Sequence, residues 1–235
     1  MRQFLYHAWY LLLLATAAVA QTQPIDSQPF YVAPAEAALD KILAPPPAQG
    51  SPAYQVDLQT LLDMQRTRSD AQVKDAQADA EISVFRFADV LGAEFRADRL
   101  PVTTKFLRQV NTDAGRAVGL AKDRFHRARP YVASTDVQPV LSRPESDSYP
   151  SGHATFGYTT GILLAMMVPE QAPELFERAA RYGRNRNIGG VHYPTDVEAG
   201  RISATVIIAL ALRSPKFAAD FAEARKELRA ALARK

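Results

Sequence analysis

Apolar residues fall at helical intervals along most of this chain. Between residues 57 and 80, Leu58, Leu61, Leu62, Met64, Val73 and Ala76 recur among charged neighbours. Their spacing is nearer to 3.6 than to 2, which predicts one amphipathic helix. The same pattern predicts helices over 83–91, 103–123, 153–167, 173–184, 195–213 and 215–234, separated by loops punctuated with proline, glycine and serine. No pair of alternating segments flanks a hairpin turn, so the expected fold is all-α, a single-domain helical bundle. Residues 202–212 are almost wholly apolar, but a bilayer takes about 20 such residues, so they read as a buried core helix. The last helix mixes Phe217, Phe221, Leu228 and Leu232 with charges of both signs, as expected of a helix packed on the domain rather than lying on a membrane.

The N-terminal quarter breaks the pattern. Residues 1–20 combine Arg2, an apolar run from Ala8 and the small-residue ending Ala18-Val19-Ala20, which predicts a secretory signal peptide cleaved after Ala20. A transmembrane anchor is the alternative, and the run is short for it. Residues 21–56 are rich in proline and alanine, ending in Pro45-Pro46-Pro47 and Gly50-Ser51; they predict an extended arm laid over the surface of a helical domain spanning 57–235. Export to the periplasm or the medium permits disulfides, yet the chain has no cysteine, so packing alone must stabilise it. Its 28 basic and 25 acidic residues leave a formal charge of +3, which removal of Arg2 lowers by one. Without a polybasic tract, neither a nucleic-acid partner nor a membrane surface is indicated.

Four histidines occur, and His7 lies in the predicted signal. His153 and His192 fall in short segments that also carry fixed cations or helix-start signals; His126 has no assigned role. Pro150-Ser151-Gly152-His153 precedes a helical run, so backbone N–H groups at a helix N-terminus, the Ser151 hydroxyl and a close approach over Gly152 offer an anion site. Ordinary capping by Ser151 is the alternative. Lys122 and Arg129, seven apart, face one side if the helix runs on to Arg129 before Pro130, and would offer an ammonium and a guanidinium fork to a phosphate; a merely solvated basic face competes. Arg186 precedes His192, and His192 and Asp196 are spaced so that the carboxylate holds one imidazole nitrogen and leaves the other as nucleophile. A structural His–Asp pair at a helix start is the competing reading. Compatible chemistry in all three segments favours one phosphate site.

Lys122-x6-Arg129-Pro130, Pro150-Ser-Gly-His153 and Arg186-x5-His192-x3-Asp196 resemble the three-part signature of the acid phosphatase and vanadium haloperoxidase superfamily, which includes the type 2 phosphatidic acid phosphatases. Ser148-Tyr-Pro-Ser-Gly-His-Ala-Thr155 and Phe125-His-Arg-Ala-Arg-Pro130 look like the bacterial class A non-specific acid phosphatases in particular. The pattern usually has serine before the arginine of the third part; Asn185 stands there.

The resemblance implies an all-α domain and a metal-independent, vanadate-inhibited phosphomonoesterase of broad specificity with no cofactor. It makes His192 the nucleophile that becomes phosphohistidine, Asp196 its orienting partner, and His153 the proton donor to the leaving alcohol. Lys122, Arg129, Arg186, the Ser151 hydroxyl and the Ser151–Gly152 backbone would bind the phosphoryl oxygens. Small phosphate monoesters are the expected partners, with homo-oligomerisation left open. A lipid-phosphate phosphatase, a vanadium haloperoxidase using His126 in its pocket, and a non-catalytic phosphate-binding protein are the alternatives.

Overall fold

The computed structural model describes residues 28–233, and among them every regular element is helical. The predicted signal peptide lies outside the described residues.

The arm is not extended throughout. Short helical turns α1 (Pro34–Ala37) and α2 (Leu39–Ile42) are joined by Ala38 in the left-handed region, φ 43°. Val32, Ala37, Leu39 and Leu43 are buried because the arm docks on a long helix, α6 (Pro101–Phe125). The docking is polar as well as apolar. Asp113 of that helix, itself buried, accepts from the backbone N–H groups of Phe30, Tyr31 and Val32 at 3.1, 2.7 and 3.1 Å, giving buried donors and acceptor their partners at once.

The predicted helix over 57–80 is two helices, α3 (Pro52–Thr67) and α4 (Asp70–Ala78). Ser69 breaks it with a reciprocal capping box: its hydroxyl accepts from Gln72 N–H at 3.3 Å and its N–H donates to the Gln72 side chain at 2.9 Å. Helix α3 also starts earlier than predicted, with Ser51 as N-cap and Pro52 at the first helical position. A 3₁₀ turn, Val84–Phe87, and α5 (Ala88–Leu91) fill the predicted 83–91 helix.

Helix α8 (Gly152–Met167) is the centre of the bundle. It is buried on most sides, which the absence of a charged residue between His153 and Met167 permits. Around it pack α9 (Ala172–Ile188), α10 (Pro194–Ala211) and α6, with α11 (Pro215–Leu232) closing over α6. Leu163, Leu164, Leu107, Phe106 and Phe217 form the core between them, each such side chain contributing on the order of 2 kcal/mol of transfer free energy. Two of these helices approach closely at Gly200, where α10 crosses the start of α8. A Cβ there would stand 2.7 Å from the Ser151 carbonyl oxygen and 2.8 Å from the Ala154 Cβ, so only glycine fits without displacing α8. That crossing sets the N-terminus of α8 against the N-terminal half of α10.

Candidate active site

Helix ends, rather than helix faces, build the site. Lys122 lies in the last turn of α6, which stops at Phe125; His126 follows in the left-handed region at φ 50° and closes the helix through its N–H to Lys122 O at 3.1 Å. The helix does not run on to Arg129, so the condition under which Lys122 and Arg129 would share a helix face is not met. Arg129 sits in extended backbone just before α7 (Pro130–Ala133), and the chain reversal at His126 returns it to the same place. Ser151, Gly152 and His153 start α8, Arg186 ends α9, His192 lies in the following loop, and Asp196 stands in the first turn of α10.

His192 and Asp196 meet across the Pro194 turn and not along a helix. His192 Nδ1 lies 3.2 Å from Asp196 Oδ2, and its Nε2 lies 2.9 Å from Arg129 Nη1. Nδ1 faces a carboxylate and Nε2 faces a donor that cannot accept, so the network assigns the proton to Nδ1 and leaves a lone pair on Nε2. Burial holds the ring neutral far below the usual histidine range; Asp196 opposes this, while Arg129 and Lys122 add to it. Burial alone would raise the Asp196 pKa, but the His192 bond, Arg127 and Ser148 bring it down to about 2. Its oxygens also accept from Ser148 Oγ at 2.5 Å, Tyr193 N–H at 2.8 Å and Arg127 Nη1 at 2.6 Å.

His153 donates Nε2–H to the Ala80 carbonyl at 3.1 Å, which frees Nδ1 for proton transfer. Burial first, then Arg186, Arg129 and Lys122, push its pKa down to about 4 despite that bond. Lys122 donates to the Asp147 carbonyl and is pushed down to about 8 by burial and by Arg129. Arg129 donates to Ser146 O at 2.8 Å, Val191 O at 2.8 Å and Ser146 Oγ at 3.1 Å. Arg186 is 2% exposed, and its Nε and Nη1 have no partner among the described residues. Burial and Arg129 bring it down to about 10. None of these hydrogen bonds reaches a carboxylate. Buried charges are ordinarily paired, so three cations whose hydrogen bonds go only to neutral groups define a place for an anion.

Ser151 is more committed than the sequence suggested. Its backbone N–H donates to Asp196 O at 3.0 Å, and so cannot serve a phosphate. Its buried hydroxyl accepts from Ala154 N–H at 3.3 Å and keeps its own proton to donate. Gly152, first in α8, presents an N–H with no partner inside the helix.

Arg127 had no assigned role, and the structure gives it one. Buried and stacked 3.9 Å over the Tyr193 ring, it donates to Asp196 Oδ1, to Thr195 Oγ1 at 2.7 Å and to Asp57 Oδ2 at 2.7 Å. It fixes the face of the carboxylate that His192 does not use. Asn185 turns away from Arg186: its Nδ2 donates to Asp75 at 3.0 Å and Asp79 at 2.8 Å. Asp79 in turn pairs with fully buried Arg178, so Asn185 ties α9 to α4. His126 is exposed, 3.2 Å from Asp147 Oδ2, and does not enter the pocket as a haloperoxidase histidine would. Among the described residues no group of three or more His, Cys, Asp or Glu has metal-binding geometry.

A family model of the PAP2 superfamily matches residues 110–219, the stretch that carries Lys122 through Asp196. Over 93% of this chain and 92% of the relative, the sequence is 32% identical to a non-specific acid phosphatase of Salmonella typhimurium. It is also 32% identical to an acid phosphatase of Zymomonas mobilis over 79% of this chain and 74% of that one. Likeness of fold alone extends to a bacterial vanadium-dependent iodoperoxidase (TM-score 0.59, 18% identity, 75% of this chain and 53% of that one). A transmembrane PAP2-type phosphatidylglycerolphosphate phosphatase from Bacillus subtilis shares it too (TM-score 0.52, 17% identity, 77% and 94%). The chain belongs to the PAP2 superfamily, and within it to the family of the non-specific acid phosphatases.

Proposed function

We propose that this chain is an exported, metal-independent acid phosphatase that hydrolyses phosphate monoesters of broad specificity through a phosphohistidine intermediate. The single observation that carries the reading is Arg186, a buried guanidinium with unpartnered N–H groups whose charge is felt at His153 together with those of Arg129 and Lys122. Family membership makes the enzyme class that of a phosphoric monoester hydrolase. The signal-like residues 1–20 support export to the periplasm or medium, and among the described residues no single helix is long and apolar enough to cross a membrane.

In the first step the phosphoryl oxygens take donors from Lys122, Arg129, Arg186, the Ser151 hydroxyl and Gly152 N–H. Arg129 Nη1, which otherwise covers His192 Nε2, moves to the phosphate, so the incoming anion itself uncovers the nucleophile. The Nε2 lone pair attacks phosphorus in line, the ester P–O bond breaks, and His153 Nδ1–H protonates the departing alkoxide. In the second step neutral His153 takes a proton from water as that water attacks phosphorus. The P–N bond breaks, His192 regains its lone pair, and inorganic phosphate leaves. Fixed cations stabilise the equatorial oxygens in both transition states.

Orthovanadate is expected to inhibit competitively, because its five-coordinate adduct with His192 Nε2 would use the same donors. Initial-rate assays with an aryl phosphate, with and without EDTA, test the metal-independent reading. Activity lost on chelation and restored by a divalent ion would overturn it.

The pH dependence follows from the two histidines. His192 stays neutral well below about pH 6.5, so the nucleophile survives acid. His153 in the free enzyme titrates at about 4 and is mostly unprotonated near neutrality. The alkaline limb of kcat/KM is therefore expected on the acid side of an ordinary histidine. A bound phosphate dianion raises the His153 pKa, so the limb of kcat lies at higher pH than that of kcat/KM. Profiles measured from pH 3 to 9 check this; a kcat/KM climbing steadily into alkali contradicts the assignment.

A further inference from the structure

A cavity of about 530 Å³ opens directly from the candidate site, sharing Lys122, Gly152 and His153 with it and extending along α6. On α6 its floor is the stripe Thr104, Arg108, Asn111, Gly115, Gly119 and Lys122, residues three or four apart and so on one face. Gly115 and Gly119 leave that floor bare: among the described residues, a Cβ at either would meet nothing within 4 Å. Apolar side chains of Ile82, Val84 and Phe85 stand opposite, and Phe156 closes the side against α8. Ser83, Thr112 and Thr155 also line it, and the far end is polar. There Asn111 Oδ1 and Thr104 Oγ1 are buried without partners among the described residues, and Arg108 is exposed. From Lys122 to Asn111 the apolar stretch follows α6 for about 16 Å.

We propose that this groove is the subsite for the alcohol of the substrate, that among the many monoesters accepted it favours those whose alcohol is an elongated apolar chain, and that Gly115 and Gly119 determine this preference. The inference rests on the phosphatase reading and adds the substrate class to it. Continuity with the site fixes the occupant. With phosphorus held between Lys122 and His153, the ester oxygen faces His153 Nδ1, and the groove that begins at His153 receives what is attached to that oxygen. Glycine in the middle of a helix is unfavourable relative to most residues, and neither glycine is required by close packing. Their effect is the open floor.

The test is kcat/KM for ethyl, butyl, hexyl and octyl phosphate, each below its aggregation concentration, with the parent enzyme and with Gly115→Leu and Gly119→Leu. In the parent, kcat/KM is expected to rise about fourfold per methylene buried, mainly through KM because this binding is shared by ground and transition states. The octyl-to-ethyl ratio is expected to fall at least tenfold in each variant, whose side chain fills the groove. Thermal midpoints at or above that of the parent are expected, since leucine favours a helix more than glycine does, and they show that the variants are folded. Ethyl phosphate hydrolysed with no gain for octyl, or a ratio that both variants preserve, overturns the groove proposal and leaves the phosphatase reading standing. Release of phosphate from none of the esters overturns both.

Discussion

His192→Ala is expected to form no phosphoenzyme with any substrate, whereas His153→Ala still becomes phosphorylated by an aryl phosphate and then stalls. The difference follows from where each ring points. His192 presents Nε2 with its lone pair held in place by Asp196 on the other nitrogen, so alanine removes the atom that would bond to phosphorus. Loss of a covalent nucleophile is expected to lower kcat on the order of 10⁵-fold or more. His153 is anchored by Ala80 and in the proposed mechanism would move only a proton, a contribution of about 10²–10⁴-fold. An aryl oxide leaves without that proton, so the first step survives while water activation in the second does not. Rapid-quench labelling with a phosphorus-labelled aryl ester should find acid-labile, base-stable protein phosphate in His153→Ala and none in His192→Ala. The reverse pattern would exchange nucleophile and acid.

Replacing Arg186 by methionine is expected to remove activity and to make the protein more stable. An N–H group buried without a partner costs about 1–3 kcal/mol, and exchange of buried charges for apolar side chains of similar volume is often neutral or stabilising. Arg186, with Nε and Nη1 unpartnered among the described residues and a pKa pushed down to about 10, is such a group. In the transition state those same donors would meet a phosphoryl oxygen, and losing one such contact costs about 10²–10³ in kcat. Scanning calorimetry should therefore give Arg186→Met a higher thermal midpoint than the parent in phosphate-free buffer. Adding phosphate should raise the parent's midpoint and leave the variant's nearly unmoved. A variant less stable than the parent without phosphate would show that Arg186 serves the fold and not an anion.

The long helices were legible because their apolar positions keep one period over many turns: α6, α8, α9, α10 and α11 stand close to where the pattern put them. The break at Ser69 was not, since Leu58 to Ala76 continue that period across it. The local signal was Ser69 followed three residues later by Gln72, a capping box inside an apparently continuous helix. In the site, Lys122, Arg129, His153, Arg186, His192 and Asp196 were legible as residue types at known intervals, and the structure gathers them. Arg127 was not, because its meaning depends on Asp57, 70 positions upstream, and on Asp196, neither of which any local interval reveals. Nor was the return of Arg129, which turns on His126 adopting φ 50°, a backbone choice that no periodicity after residue 123 reveals. The groove was half visible: Gly115 and Gly119 share a helix face by spacing alone, but Ile82 and Phe85, which wall it, come from another part of the chain.

The crossing at Gly200 couples catalysis to the integrity of the core. Gly200 brings α10 onto the Ser151 carbonyl, and the Ser151 N–H is bonded to the Asp196 carbonyl. The start of α8, proposed to receive the anion, and the turn carrying Asp196, proposed to orient the nucleophile, are thus fastened to each other by main chain. Side chains alone could slip; this joint cannot open unless α8 and α10 separate, and those helices share the interior of the bundle. The amides of the site are therefore expected to exchange with those that open only on global unfolding. Activity is expected to be lost together with the fold and not before it, in a chain with no cysteine to staple it.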